Sequence, residues 1–254
     1  MLQIAQLPVW QDNYIYILYD TERKDAVVID PTEAKVVTDF LAQNDLHLLA
    51  ILNTHHHPDH IGGNLELKKA TGCPIYGYEG DAHRIPGITN TLGSASHFTL
   101  LNLEIHVQLL PGHTTGHIAY YIPSKNWLFS GDVMFAMGCG RLFEGTPSQM
   151  LTSLERMAAL PDDTLVFCSH EYTLANGKFA LAVDRHNPRL TARIEQEKRK
   201  RDQGLSTVPT TIALEKTTNP FLRCDNLDIQ QALGLIGAEK LEVFTELRKM
   251  KDEF

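Results

Sequence analysis

Short apolar runs separated by polar turns dominate the first part of the chain. The segments "YIYILYD" (14–20) and "DAVVID" (25–30) are rich in β-branched and aromatic residues, which predicts two strands, and "TERK" between them predicts a hairpin turn. Apolar residues at helical spacing in "AKVVTDFLAQNDL" (34–46) predict a helix. The continuous apolar run "LLAILNT" (48–54) reads as a strand covered on both faces. "GGNLELKKATG" (62–72) predicts a short helix stopped by Gly72. "LEIHVQLLP" (103–111), "IAYYIP" (118–123), "WLFSGD" (127–132) and "TLVFCSH" (164–170) predict further strands, and "PSQMLTSLERMAAL" (147–160) a helix with Pro147 in its first turn. From about residue 173 the pattern turns helical and the charge rises, as in "RLTARIEQEKRKRDQG" (189–204), "LDIQQALG" (227–234) and the segment 238–254. A domain boundary is therefore expected near 171–175, giving a catalytic domain over 1–172 and an α-helical, substrate-binding domain over 173–254.

Composition narrows the class. Hydrophobic residues make up 43% and charged residues 21%, ordinary values for a folded globular chain. No basic segment followed by an apolar run stands at the N-terminus, and no apolar run is long enough to span a bilayer, so a cytoplasmic location without membrane contact is expected. Cys73, Cys139, Cys168 and Cys224 are scattered, which fits a reducing compartment better than a disulfide framework. A formal charge of −8 argues against nucleic-acid binding. Nothing in the sequence fixes an oligomeric state, and a monomer is the expectation.

The candidate chemistry lies in the histidines, of which there are 12. "NTHHHPDHIGG" follows a predicted buried strand, so His55, His57, Asp59 and His60 fall on a loop at a strand's C-terminal end, where α/β sheets tend to bind ligands. Three more predicted strands run into "PGHTTGH", "FSGD" and "FCSHEYT", offering His113, Asp132 and His170. This many imidazole and carboxylate groups exceeds what one tetrahedral ion takes and suits two ions about 3.5–4 Å apart. We group His55, His57 and His113 on one ion, and Asp59, His60 and His170 on the other. Asp132 bridges them, and Asp59 and Asp132 are the groups expected closest to the chemistry. Zinc is the expected metal, with iron or manganese compatible with the same donors. His56, between two candidate ligands, is expected to point away. His47, His83, His97, His106 and His186 read as ordinary surface or core histidines.

"THHHPDH" resembles the T-H-x-H-x-D-H signature of the metallo-β-lactamase fold superfamily, and "PGHT", "SGD" and "SHEYT" follow in that superfamily's order. The resemblance implies an αβ/βα sandwich of two mixed β-sheets flanked by helices. Within the superfamily, "GCGRLFEGT" (138–146), "SHEYTLAN" (169–176) and the tail "LRKMKDEF" (247–254) resemble the glyoxalase II family. That likeness implies hydrolysis of an S-(2-hydroxyacyl)glutathione thioester to glutathione and a 2-hydroxy acid. It points to D-lactoylglutathione and to the second step of methylglyoxal detoxification. It also implies that Arg141, Phe143, Tyr172, Arg248 and Lys251 contact glutathione. Many members of the family carry Lys and Tyr where this chain has Arg141 and Phe143, so the tyrosine hydroxyl contact is missing at Phe143. The three cations would gather the anionic substrate onto an otherwise acidic protein.

The implied reaction uses a water between the two ions, activated towards hydroxide, as nucleophile, and a thiolate as leaving group. Two rival readings have different sequence consequences. Another hydrolase of this fold would share the ligands but not the glutathione-loop and tail motifs. A non-catalytic binding protein would be expected to have lost ligands, and none is missing.

Overall fold

The computed structural model describes residues 1–254. The strands sort into two six-stranded sheets and one two-stranded ribbon, with helices alongside. The chain divides into two compact units, Met1–Leu109 with Gly116–Lys125, and Leu110–Thr115 with Asn126–Phe254. In the second unit the segment 126–172 packs with the helices that follow it.

In the first unit, β1 (Leu2–Val9), β2 (Asn13–Asp20) and β3 (Asp25–Ile29) are antiparallel neighbours. Strands β4 (His47–Leu52), β5 (Ile75–Tyr78) and β6 (Asn90–Leu92) continue the sheet in parallel from β3. β1 escapes the sequence pattern because it is an edge strand: Gln3 and Gln6 interrupt its apolar residues, and Pro8 can be tolerated only at an edge. Helices α1 (Ala34–Asn44) and α3 (Asn64–Thr71) bury Val37, Leu41 and Leu67 against Val28, Ile51 and Ile75 of the sheet. The single turn α2 (Pro58–Ile61) lies between them in sequence. Gly62 and Gly63 follow it because a Cβ at either would strike the Pro31–Thr32 backbone. Strands β7 (His97–Leu100), β8 (Leu103–Leu109) and β9 (Ile118–Ile122) form an antiparallel meander, in which the Tyr120 hydroxyl donates to the Asn53 carbonyl at 2.7 Å.

In the second unit, β10 (Trp127–Gly131) and β13 (Leu165–Cys168) pair in parallel, and β14 (Thr210–Thr211) pairs antiparallel to β13. Strands β11 (Met134–Phe135) and β12 (Gly138–Cys139) make the ribbon. Helix α4 (Pro147–Ala158) starts in a reciprocal cap between Thr146 and Gln149. Helices α5 (Thr173–Val183), α6 (Pro188–Asp202), α7 (Ile212–Thr218), α8 (Leu227–Leu233) and α9 (Lys240–Glu253) complete the unit. A buried cluster fastens the ribbon to these helices. Glu215 accepts from Arg193 and from the Met137 amide, and Asn219 donates to the carbonyls of Phe135 and Gly138. No helix is long and apolar enough to cross a membrane.

Candidate metal centre

Each unit carries its own set of converging donors. In the first unit the origin is β4, whose Ala50, Ile51 and Leu52 are buried and deliver the chain to Thr54 and His55. The buried Asp30 carboxylate, just past β3, accepts from the Thr54 amide at 2.7 Å and from the Thr54 hydroxyl at 2.6 Å. Having donated its hydrogen to Asp30, the Thr54 hydroxyl can only accept from His55 Nδ1, 3.0 Å away. The His55 lone pair is thereby set on Nε2, which faces His57 Nδ1 at 3.0 Å. Asp30 also takes His60 Nδ1 at 3.0 Å, so the His60 lone pair is on Nε2, 3.4 Å from Asp59 Oδ2. Asn13 donates to that same Asp59 oxygen at 2.9 Å. Asp30 lies near His55 and His60, but its oxygens are taken up by Thr54 and His60, which makes it an orienting group rather than a ligand. Its only signal in the sequence was a carboxylate at the end of an apolar strand.

His56 turns the other way, to Asp81 at 3.4 Å, where Arg84 also binds. His117 stacks on His55 with ring centroids 4.7 Å apart and braces it. Gly116 has to be glycine, since a Cβ there would collide with the Asp81 carboxylate.

In the second unit the donors come from separate elements. Asp132 follows β10, His170 follows β13, and His113 lies on the short segment Leu110–Thr115. One carboxylate oxygen of Asp132 sits 3.4 Å from His113 Nε2 and 3.3 Å from His170 Nε2. That oxygen is therefore flanked by two imidazoles. His113 Nδ1 donates to the Arg141 carbonyl at 2.8 Å, which again leaves Nε2 as the lone-pair nitrogen. The Tyr172 ring stacks on His170 with centroids 4.7 Å apart and planes within 1°. Gly140 lets the chain pass over Asp132, whose carbonyl a Cβ would strike. The Thr115 amide and hydroxyl both bind the Glu144 carboxylate, bracing the His113 segment against the 141–144 loop.

The donor set fits divalent metal. In each unit the backbone and buried partners hold imidazoles in the tautomer that presents a lone pair, and the carboxylates lie at the spacing of neighbouring ligands. The cysteines are no part of it: burial pushes the Cys168 and Cys224 thiols up to about 12.

The residues expected to contact substrate all lie in the second unit. Phe143 is exposed, its ring edge-on to His113 at 5.2 Å. Arg141 is exposed and pairs with Asp252 at 3.3 Å. Lys251 is half-buried, its ammonium over the rings of Phe179 and Phe254 at 5.5 and 5.6 Å. Burial, then the charge of Arg248, hold its pKa below the ordinary lysine range. Arg248 is buried. It is only 5% exposed, donates to the Cys139 carbonyl at 2.9 Å, and pairs with Asp252 at 2.8 Å. The reason is helix geometry: on α9 it sits one turn from the buried Phe244 and next to Leu247, on the face that packs inward. Its guanidinium thus ties α9 to the ribbon. Asp252, which no local pattern marks, links both arginines.

Two family models tile the chain. One described as the metallo-beta-lactamase superfamily matches residues 8–170, and one described as the hydroxyacylglutathione hydrolase C-terminus matches 171–254. The chain is 47% identical over 254 residues to a hydroxyacylglutathione hydrolase of Methylococcus capsulatus, covering all of this chain and 99% of the relative. It is 50% identical to one of a Synechococcus strain, covering both completely. Among solved structures it resembles the B3 metallo-beta-lactamase BLEG-1 (TM-score 0.66, 27% identity, 87% of this chain and 99% of that one). It also resembles a protein solved in a di-iron-bound form (TM-score 0.62, 27% identity, 87% and 100%).

Proposed function

Because the chain belongs to the hydroxyacylglutathione hydrolase family of the metallo-β-lactamase superfamily, we propose that it hydrolyses S-(2-hydroxyacyl)glutathione thioesters to glutathione and a 2-hydroxy acid. The observation that carries this reading is the tandem match: a superfamily model over every candidate ligand, followed without a gap by the C-terminal model of this one hydrolase family. The finer reading is S-D-lactoylglutathione as substrate, in the second step of methylglyoxal detoxification, by a cytoplasmic monomer. The domain over 1–172 would carry the metal chemistry, and the domain over 173–254 would supply glutathione contacts.

The expected ligands would serve two ions, zinc by preference. His55, His57 and His113 would hold one, Asp59, His60 and His170 the other, and Asp132 would serve both. A single superfamily model spanning both sets, and the di-iron form of a similar fold, support that count. Bound ions of this kind supply Lewis acidity and bring the pKa of water towards neutrality. The protein's own work is positional. Asp30 and Thr54 lock the tautomers of His55 and His60, and the Arg141 carbonyl locks that of His113. Arg141 and Lys251 attract the carboxylates of glutathione, with Arg248 and Asp252 holding Arg141 and α9 in register. Phe143 and Tyr172 offer apolar ring surface beside His113 and His170. The leaving thiol has an ordinary pKa of roughly 8.5, so it departs as thiolate with little need of a general acid.

The test is hydrolysis of S-D-lactoylglutathione compared with thioesters lacking glutathione and with a β-lactam. Preference for the glutathione thioester is expected. Equal rates on all thioesters, or faster β-lactam opening, would overturn the substrate assignment.

A further inference from the structure

One histidine cluster takes no part in the site above. We propose that His97, Glu104 and His106, on the outer face of the β7–β8 pair, form a separate surface site for a single late transition-metal ion of the zinc, copper or nickel class. No candidate catalytic ligand lies on either strand.

The register makes the site. His97 and His106 are directly opposed across the antiparallel pair, so their side chains leave the sheet on the same face. Glu104 stands two residues before His106 on β8 and therefore shares that face. The imidazole centroids are 4.2 Å apart. Glu104 Oε1 lies 3.1 Å from His106 Nε2 and 3.7 Å from His97 Nδ1. The three ligand atoms all fall within 4.8 Å of one another. A tetrahedral ion with bonds of about 2.0–2.1 Å has ligand atoms roughly 3.3–3.4 Å apart, and the two measured spacings straddle that value. Two imidazoles and one carboxylate leave the fourth position to water, and this donor set favours copper, nickel and zinc over magnesium or calcium.

The scaffold beneath is firm. On the opposite face of β7, Phe98 stacks on Tyr76 at 5.2 Å, and Ile105 of β8 is buried. On the outer face His106 is flanked by its β9 neighbour Tyr121. β7 is the terminal strand of its sheet, and a cross-strand ion would staple that edge to β8. Such an ion stabilises the folded chain, since it meets its three ligands together only there.

The experiment uses enzyme whose catalytic ions are already in place, titrated calorimetrically with Ni2+ and, separately, Zn2+. One further equivalent per chain is expected. His97→Ala and His106→Ala should each abolish it, and Glu104→Gln should weaken it, while thioester hydrolysis is unchanged in all three. Cu2+ bound at the same stoichiometry should show an electron paramagnetic resonance spectrum with two nitrogen ligands, lost in the histidine variants. Absence of the extra equivalent in the parent would overturn the site. So would its persistence in both histidine variants, or a loss of thermal stability in His106→Ala that is the same with and without added metal.

Discussion

In the first unit the candidate ligands come from a six-residue stretch, His55 to His60, oriented by one buried carboxylate. In the second they come from His113, Asp132 and His170, three segments far apart in sequence, oriented by a backbone carbonyl and a stacked tyrosine. No candidate substrate residue belongs to the first arrangement. The second places its donors within the same framework as Arg141, Phe143, Tyr172 and the α9 cations. The Arg141 backbone orients a ligand while its side chain faces outward. Damage in the first unit should therefore register in metal content and kcat, and damage at the edge of the second in KM.

The largest effect is expected at Asp132. Asp132→Ala removes the one oxygen flanked by two imidazoles, and kcat should fall on the order of a thousandfold or more, with loss of bound metal. Near-normal kcat with full metal content would mean that Asp132 bridges nothing.

Asp30→Ala sharpens the contrast from the first unit. It touches no substrate residue, yet removes the acceptor that orients Thr54 and His60. Metal affinity or kcat should drop about 10–100-fold with KM little changed. Asp30→Asn should recover part of the loss, because one acceptor oxygen remains. A pure rise in KM would break the division between the units.

From the second unit the paired change Arg248→Ala with Lys251→Ala should raise KM roughly tenfold and leave kcat within a few-fold. The effect should shrink at high salt and vanish for a thioester without glutathione's carboxylates. Because Arg248 also holds the Cys139 carbonyl, Lys251→Ala alone is the cleaner control. Equal losses on both substrates would assign the tail to folding instead.

The smallest effect is a pH dependence. Lys251 has its pKa lowered from 10.5, first by burial and then by Arg248. Raising the pH therefore removes its charge earlier than for an ordinary lysine, and KM should climb in that alkaline range. The charged form is the one disfavoured by folding, so the change should not cost stability; linkage gives a stability that rises with pH across the same window. Lys251→Arg should flatten the KM profile, since a guanidinium stays charged. An unaltered profile in Lys251→Arg would remove Lys251 from substrate binding.

How much was legible beforehand follows from the range of each interaction. The strands β2, β3, β4, β8, β9, β10 and β13 and the helices α1, α4 and α6 could be read because their apolar spacing is local. The edge strand β1 and the short strands β5, β6 and β7 could not, because pairing partners rather than their own composition define them. Likewise the sequence by itself determined the ligand types. "HHHPDH" places its donors within one loop whatever the rest of the chain does, and an apolar strand ending in Asp or His announces the others. Only the tertiary structure decided which ring nitrogen keeps its lone pair free of a carboxylate or carbonyl, since that depends on Asp30 and Arg141, 30 and 28 residues from the histidines they hold. It also decided that Arg248 is a buried tether, that Asp252 joins two arginines, and that His97, Glu104 and His106 meet. Burial, helix facing and strand register arise from packing between distant segments, and no local pattern encodes them.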